Sequence, residues 1–310
     1  MEDFKIYLEQ KDLASVTIKQ KIESVTIFLK WINKEETQIT KSDILDYLKH
    51  LKNKNLQNVT RQKFLIVLNQ YFEHLIEENK VIENPCILLK IRGTRKKILY
   101  KIYTPAELQQ LFNDYYTVYV QNFDNHHIAN NKKLHELCIE RNALMLNVLI
   151  NQGISVKELS KIELEDIDLK KMTLRMKGCK TNRKRTLPIK PSQMGMLVYY
   201  LNDIRPQLLE YQTNETNKLF LPLPQVGSKQ TNSQTMRKTI ESLIKSIKNI
   251  DSNFIGFNQV RASIITQWLK DYGLRKTQYL AGHYKVASTE KYQANNLDEL
   301  TNDINNLHPF

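Results

Sequence analysis

Near the C-terminus, the stretch "LAGHYKVASTEKYQ" sets Tyr292 nine residues after His283, with Gly282 in front of the histidine. A tyrosine hydroxyl has a pKa near 10, so it is a poor nucleophile unless nearby donors or cations ease formation of the phenolate. Candidate cations lie upstream. Arg261 falls in "NQVRAS" beside the apolar Val260, Ile264 and Ile265, where a surface charge and a buried, committed arginine fit about equally. Basic residues crowd "KGCKTNRKR", among them Lys177, Lys180, Arg183 and Arg185. A solvated turn explains such a cluster as readily as a binding function. His283 alone suits a capping or core position, and Tyr292 alone suits packing; their shared context is what suggests chemistry.

The charge balance narrows the partners. Lysine and arginine total 46 against 33 aspartate and glutamate, a net charge of +13 over 310 residues. Such an excess favours a polyanion, either nucleic acid or an anionic membrane surface. No stretch approaches the ~18 apolar residues of a membrane span. The opening "MEDFKIYLEQ" is acidic and reads as helix, so no secretory signal is expected. Cys86, Cys138 and Cys179 lie far apart without C-x-x-C spacing, and His126 and His127 sit together in a polar stretch. These patterns point to a reducing cytoplasm with no metal site and no cofactor.

The elements that must position these residues are mostly helical. Ile22, Val25, Leu29 and Ile32 recur at helical spacing, as do Ile44, Tyr47, Leu48 and Leu51. A third stripe runs from Phe64 to Leu75, and "ENP" at 83–85 is expected to stop it. Thr40 with Asp43 forms a cap for the second helix. This small bundle presents Lys19, Lys21, Arg61 and Lys63. A basic linker is expected at 89–103, followed by a helix opened by "TPAEL", with Thr104 as cap, Pro105 in the first turn and Glu107 closing a capping box. Residues 114–134 read as irregular and 137–151 as an apolar helix. "MTLRMKG" and "KRTLPI" alternate as two short strands around a basic turn. Helices are expected at 191–204, 233–248, 260–271, 275–281 and 286–292, with "LDELTNDINNL" as a further candidate.

In this order the signals resemble the tyrosine recombinases, the family of phage, conjugative-element and Xer-type integrases. The resemblance runs nearly end to end. "FKIYLEQKDLASVTIKQKIESVTIFLKWI" is similar to the family's core-site-binding domain and "YTPAELQQL" to the entry into its catalytic domain. "NQGISVKELSKIELEDIDL", "GFNQVRASIITQWL" and "LAGHYKVASTEKYQ" resemble its three catalytic boxes. The fold implied is mainly α with a small antiparallel β-sheet: a SAM-like core-binding bundle at 1–88, the linker, and a tyrosine recombinase catalytic domain at 104–310.

The resemblance also implies chemistry. Attack on a DNA phosphodiester builds negative charge on the phosphoryl oxygens, so fixed donors around the phosphate are the main catalytic resource. Tyr292 takes the nucleophile's position, forming a 3′-phosphotyrosyl link without metal or cofactor. Arg261 takes that of an arginine holding two phosphate oxygens through its fork of donors. His283 takes that of a phosphate donor. Lys180 aligns with the hairpin lysine that protonates the leaving 5′ oxygen when counted back from Pro188; counting forward from Asp166 points to Cys179, and Lys177 is the fallback. Glu158 matches an acid that braces the site, while Asp166 reads as structural, closing the turn into the strand.

Two departures stand out. Ser155 replaces the family's first arginine, and Asn258 replaces the first histidine of the second box. Asn258 fits a helix cap and a phosphate contact equally well. Losing an arginine from such a site could cost about 3–4 kcal/mol of transition-state stabilisation, and Arg183 or Arg185 is expected to supply the missing charge. The partners implied are double-stranded DNA, a homotetramer on two DNA sites and accessory bending or directionality proteins, with no membrane. The setting implied is a mobile element in the nucleoid of a bacterial cytoplasm. The rival readings are a catalytically impaired DNA-binding regulator and a type IB topoisomerase or telomere resolvase.

Overall fold

The computed structural model describes residues 1–93, 101–123, 132–179, 182–212, 216–222 and 232–293. The chain divides into two compact units, Met1–Ile98 and Leu99–Phe310. It is mainly α-helical, with one small antiparallel sheet in the second unit.

The first unit is built from α1 (Glu2–Gln10), α2 (Ser15–Ile32), α3 (Lys41–Asn53) and α4 (Asn58–Glu77). The apolar stripes of the sequence close on one core containing Phe4, Val25, Phe28, Ile44, Leu68 and Phe72. Thr40 and Asp43 form a reciprocal capping box at the start of α3, satisfying backbone donors that a helix end leaves open. One boundary differs from expectation: α4 ends at Glu77, ahead of the proline, because Asn79 turns left-handed at φ 56° and the chain reverses. Within the expected linker, Leu89 and Ile91 pack on the first unit's core, and Tyr103 is buried in the second unit's. Positions 94–100 lie outside the described residues.

The second unit opens with α5 (Pro105–Tyr115), started by the Thr104–Glu107 capping box. A π-helical segment, Tyr116–Gln121, prolongs it, so part of the stretch expected to be irregular is ordered. His126, His127 and the remainder of 124–131 lie outside the described residues. The central α6 (Lys132–Gln152) is buried along most of its length, with Leu144, Met145, Leu146 and Leu149 at 0–1% exposure. It is apolar almost all round, as befits a helix packed on several sides.

After the short α7 (Val156–Leu159) come β1 (Ile167–Asp168), β2 (Thr173–Met176) and β3 (Arg185–Pro188), paired in the order β1-β2-β3. β2 and β3 are the two alternating runs of the sequence, in register Leu174↔Leu187 and Met176↔Arg185. The two-residue β1 was not expected. Then follow α8 (Pro191–Tyr199), a π-helical turn at Tyr200–Ile204, α9 (Arg205–Leu209) and α10 (Asn232–Ile250). The element α11 (Phe257–Ala281) is two helices merged across a break at Gly273, φ 70°, where the sequence suggests two separate helices. Gly282, φ 74°, ends it in a left-handed cap that an L-residue rarely adopts. The short α12 (Ala287–Glu290) precedes Tyr292. The "LDELTNDINNL" segment lies outside the described residues.

Candidate active site

The site forms where α7, β3, both ends of α11 and α12 meet. Its hub is Glu158, 7% exposed, on α7. Ser155 caps that helix: its backbone N–H and hydroxyl each donate to Glu158 Oε2 at 2.9 Å, and its Oγ accepts from the Glu158 N–H. The other carboxylate oxygen, Oε1, accepts from Arg185 Nη1 at 2.7 Å, and Arg261 Nη1 lies 3.6 Å from Oε2. Burial would raise the Glu158 carboxyl, but the Arg185 hydrogen bond and charge, the Ser155 N–H and Arg261 together hold it down at about 2.

Arg261 is 8% exposed and committed to the interior. Nη1 donates to the Gly153 carbonyl at 2.5 Å and Nη2 to the Ala281 carbonyl at 2.7 Å. These bonds tie the start of α11 to its own end and to the loop before α7. Nη2 also lies 3.4 Å from His283 Nε2. Gly153 is at φ 55°; a Cβ there would come within 2.9 Å of Ile264 Cγ2 and 3.0 Å of Trp268.

His283 is 9% exposed and follows the glycine cap directly. Burial, followed by the charges of Arg261 and Arg185, pushes its imidazole down to about 4, so it is neutral at neutral pH. Its Nδ1 meets the hydroxyl of Thr289, a residue with no exposed surface, at 2.9 Å. The Tyr292 ring lies over the imidazole, centroids 6.0 Å apart and planes 11° apart. The Tyr292 N–H donates to the Thr289 carbonyl at 3.0 Å. Tyr292 itself is half-buried. The nine-residue remove between histidine and tyrosine is thus one cap, one short helix and one turn that folds the phenol back over the imidazole.

The hairpin residues separate. Arg185, expected with Arg183 to supply the charge that Ser155 lacks, has a side chain with no exposed surface. β3 alternates buried and exposed, and Arg185 shares the inward parity of Leu187. Its Nε donates to the Leu280 carbonyl at 2.7 Å, while its Nη2 is buried without a hydrogen-bond partner among the described residues. A Cβ at Gly282 would collide with Arg185 Nη1 and lie 2.9 Å from Cζ, so glycine in the Gly-His pair makes room for this guanidinium. Arg183 is exposed, its guanidinium 5.5 Å over the Tyr284 ring, with its backbone N–H donating to the Gly282 carbonyl at 2.8 Å. Lys177, the fallback acid, is ion-paired with Glu163, Glu165 and Asp166. Its hydrogen bonds to Glu163 and Glu165 raise its pKa, the wrong direction for donating a proton. Lys180 lies outside the described residues.

Asn258 is exposed in the first turn of α11, three residues before Arg261, and the N-cap of that helix is Gly256, which removes the cap reading. Asp166, 2% exposed, accepts from the Glu163 N–H at 3.0 Å and from Arg175 Nε at 3.2 Å, closing the turn into β1. In the first unit Lys19 and Lys63 are exposed, whereas Lys21 is half-buried against Gln70 and Arg61 bonds Asn58 at 2.6 Å. Thr289 was missed from the sequence. Its position three residues before Tyr292, on the turn from histidine to tyrosine, was the available signal.

Residues 127–299, more than half of the chain, match the phage integrase family. The chain belongs to that family. Residues 1–81 match the phage integrase N-terminal SAM-like domain. Tyrosine recombinase XerC of Natranaerobius thermophilus is 24% identical over 314 positions, covering 99% of this chain and 97% of that protein. Among solved structures, XerH site-specific recombinase bound to a palindromic difH substrate after cleavage gives a TM-score of 0.68 at 18% identity, covering 95% of this chain and 81% of the other. A λ integrase tetramer on a Holliday junction gives 0.60 at 12% identity, covering 92% and 76%. Among the described residues of this integrase-family chain, no His, Cys, Asp or Glu group is placed to hold a metal ion, and no helix is long and apolar enough to cross a membrane.

Proposed function

We propose that this chain is a site-specific DNA recombinase that cuts and rejoins DNA through a 3′-phosphotyrosyl intermediate. Tyr292 Oη attacks the phosphorus as the bond to the 5′ oxygen breaks. The phenol gives up its proton to water, and the 5′ oxygen takes one up, from Lys180 in this proposal. A 5′ hydroxyl of a second DNA end reverses the step. Arg261 and His283 donate to the non-bridging oxygens.

One observation carries the reading: Tyr292, His283 and Arg261 meet at a buried cluster that is one negative charge short. Arg185 and Arg261 bring two positive charges, Glu158 one negative, and His283 none at neutral pH. An unpaired buried charge is costly, and a phosphodiester supplies the missing anion. Arg185, rather than Arg183, then provides the charge that Ser155 lacks. It does so through its field and its grip on Glu158, because its side chain is sealed from solvent.

In this reading the first unit binds DNA with Lys19, Lys63 and Arg61 on phosphates, which gives affinity more than sequence choice. The assembly is a homotetramer on two sites, in keeping with the λ integrase likeness. The setting is a bacterial mobile element, with accessory bending or directionality proteins.

The second reading, a DNA-binding regulator without strand transfer, draws on Ser155 acting only as a cap and on Asn258 standing where the family has a histidine. A nicked suicide duplex carrying the DNA that flanks the gene separates the two. Covalent trapping that is lost in Tyr292→Phe is the expected result. Tight binding with no trapping at any pH overturns the enzymatic reading in favour of the regulator.

A further inference from the structure

A neutral imidazole donates to a phosphate oxygen only from the nitrogen that carries its single hydrogen. The proton must therefore sit on His283 Nε2, the nitrogen beside Arg261, and something must keep it off Nδ1. The group facing Nδ1 is the Thr289 hydroxyl at 2.9 Å.

We infer that Thr289 is a positioning residue that donates its hydroxyl hydrogen to His283 Nδ1 and so holds the histidine in the Nε2–H form that the strand-transfer step requires. The inference rests on the function proposed above and adds to it a residue and a task.

Three observations support it. First, Thr289 is fully buried, and its hydroxyl has no other hydrogen-bond partner among the described residues. If Nδ1 carried the hydrogen, the hydroxyl would have to accept, and its own hydrogen would be stranded unsatisfied in a dry interior. The opposite arrangement gains only a long contact, Arg261 Nη2 to Nε2 at 3.4 Å, near the limit for a hydrogen bond. Second, Nη2 and Nε2 lie only 3.4 Å apart, close enough for one phosphoryl oxygen bound beside them to take a hydrogen from each. Third, Thr289 also fixes the nucleophile's backbone, since its carbonyl accepts the Tyr292 N–H at 3.0 Å. One residue thus sets the histidine with its side chain and the tyrosine with its main chain. The imidazole is neutral because burial and two guanidinium groups hold its pKa near 4, so protonating both nitrogens is no alternative at neutral pH.

The test uses the full-length protein in wild-type, Thr289→Val and Thr289→Ser forms. Two-bond proton–nitrogen NMR of ¹⁵N-histidine-labelled protein, with His283→Gln to assign the resonance, reads which nitrogen lacks hydrogen. Single-turnover formation of the covalent complex on the nicked duplex reads the chemistry. The expected results are an Nε2–H wild type, the same form with a rate within about threefold in Thr289→Ser, and loss of the Nε2–H preference with a rate about 100-fold lower in Thr289→Val. Melting curves confirm folding of each variant. A wild type carrying its hydrogen on Nδ1, or a Thr289→Val variant with unchanged tautomer and rate, overturns the inference. So does a folded Thr289→Ser variant as slow as Thr289→Val. If the wild type forms no covalent complex the proposed function fails, while the tautomer measurement still decides the role of Thr289.

Discussion

Replacing Arg185 by Met should destabilise the second unit far more than removing its hairpin neighbour Arg183. Arg185 is paired with Glu158 at 2.7 Å, with side chains 0% and 8% exposed, so solvent screens the pair little. Removing Arg185 strips Glu158 of its short charge-assisted hydrogen bond, at about 1.5–3 kcal/mol. Arg261, 3.6 Å from Glu158, then balances the carboxylate alone. For a unit of this size the change corresponds to a melting temperature lower by about 3–12 °C. Arg183→Ala, which removes an exposed side chain stacked on Tyr284, should stay within about 0.5 kcal/mol. The two tryptophans allow a clean assay. In a Trp31→Phe background, Trp268 alone reports and reads only the second unit's transition. A fall of less than about 2 °C for Arg185→Met, or equal losses for both variants, would show that the Arg185–Glu158 contact does not hold the cluster together. Trapping assays below the melting point should show slow covalent complex formation in Arg185→Met and a near wild-type rate in Arg183→Ala.

Acid should loosen the site in two stages. The folded pKa of His283, about 4, lies below its ordinary 6.5, so its neutral form favours folding. That contribution is complete above pH 6.5 and is lost as pH falls towards 4. Glu158, held at about 2 against an ordinary 4.5, contributes fully above pH 4.5 and loses its share between there and pH 2. Each shift corresponds to about 3 kcal/mol. Melting curves of the second unit from pH 8 to 4 should fall in wild type and flatten in His283→Gln; parallel curves would refute the assignment. Gly282→Ala should lose about 1–2 kcal/mol to left-handed backbone strain and more by displacing Arg185, and a melting point unchanged from wild type would contradict the packing described. Lys63→Ala should weaken binding to all duplex sequences alike and reduce the log–log salt slope by about 0.9. Lys21→Ala, which removes a half-buried contact to Gln70, should change that slope little.

The parts of the site that could be read from the chain were those set by local spacing. Gly282, His283 and Tyr292 lie within one cap, helix and turn, so their meeting follows from short-range geometry, whereas Arg261, 22 residues before His283, was placed with them by the resemblance to the recombinases. Arg183 and Arg185 were left as alternatives although a signal that separates them was present. The place of Arg185 two residues before Leu187 on an alternating strand puts it inward, but a basic run conceals parity because every member looks exposed. Thr289 was overlooked because a hydroxyl on a short turn has no composition signal; its role exists only once the helix end and the turn bring it to Nδ1. The early end of α4 depended on Asn79 adopting a left-handed conformation, which one asparagine among several does not announce. The break in α11 was legible, since Gly273 interrupts two apolar runs. The two-residue β1 was not, because a strand that short exists only through its partner.

The most direct test of the central claim is peptide mapping of the covalent protein–DNA product by mass spectrometry after digestion of the trapped DNA. The account predicts a nucleotide joined through its 3′ phosphate to the peptide containing Tyr292, and to no other. An adduct on exposed Tyr279 or Tyr284, or a DNA-bound protein whose tyrosines are all unmodified, would contradict it.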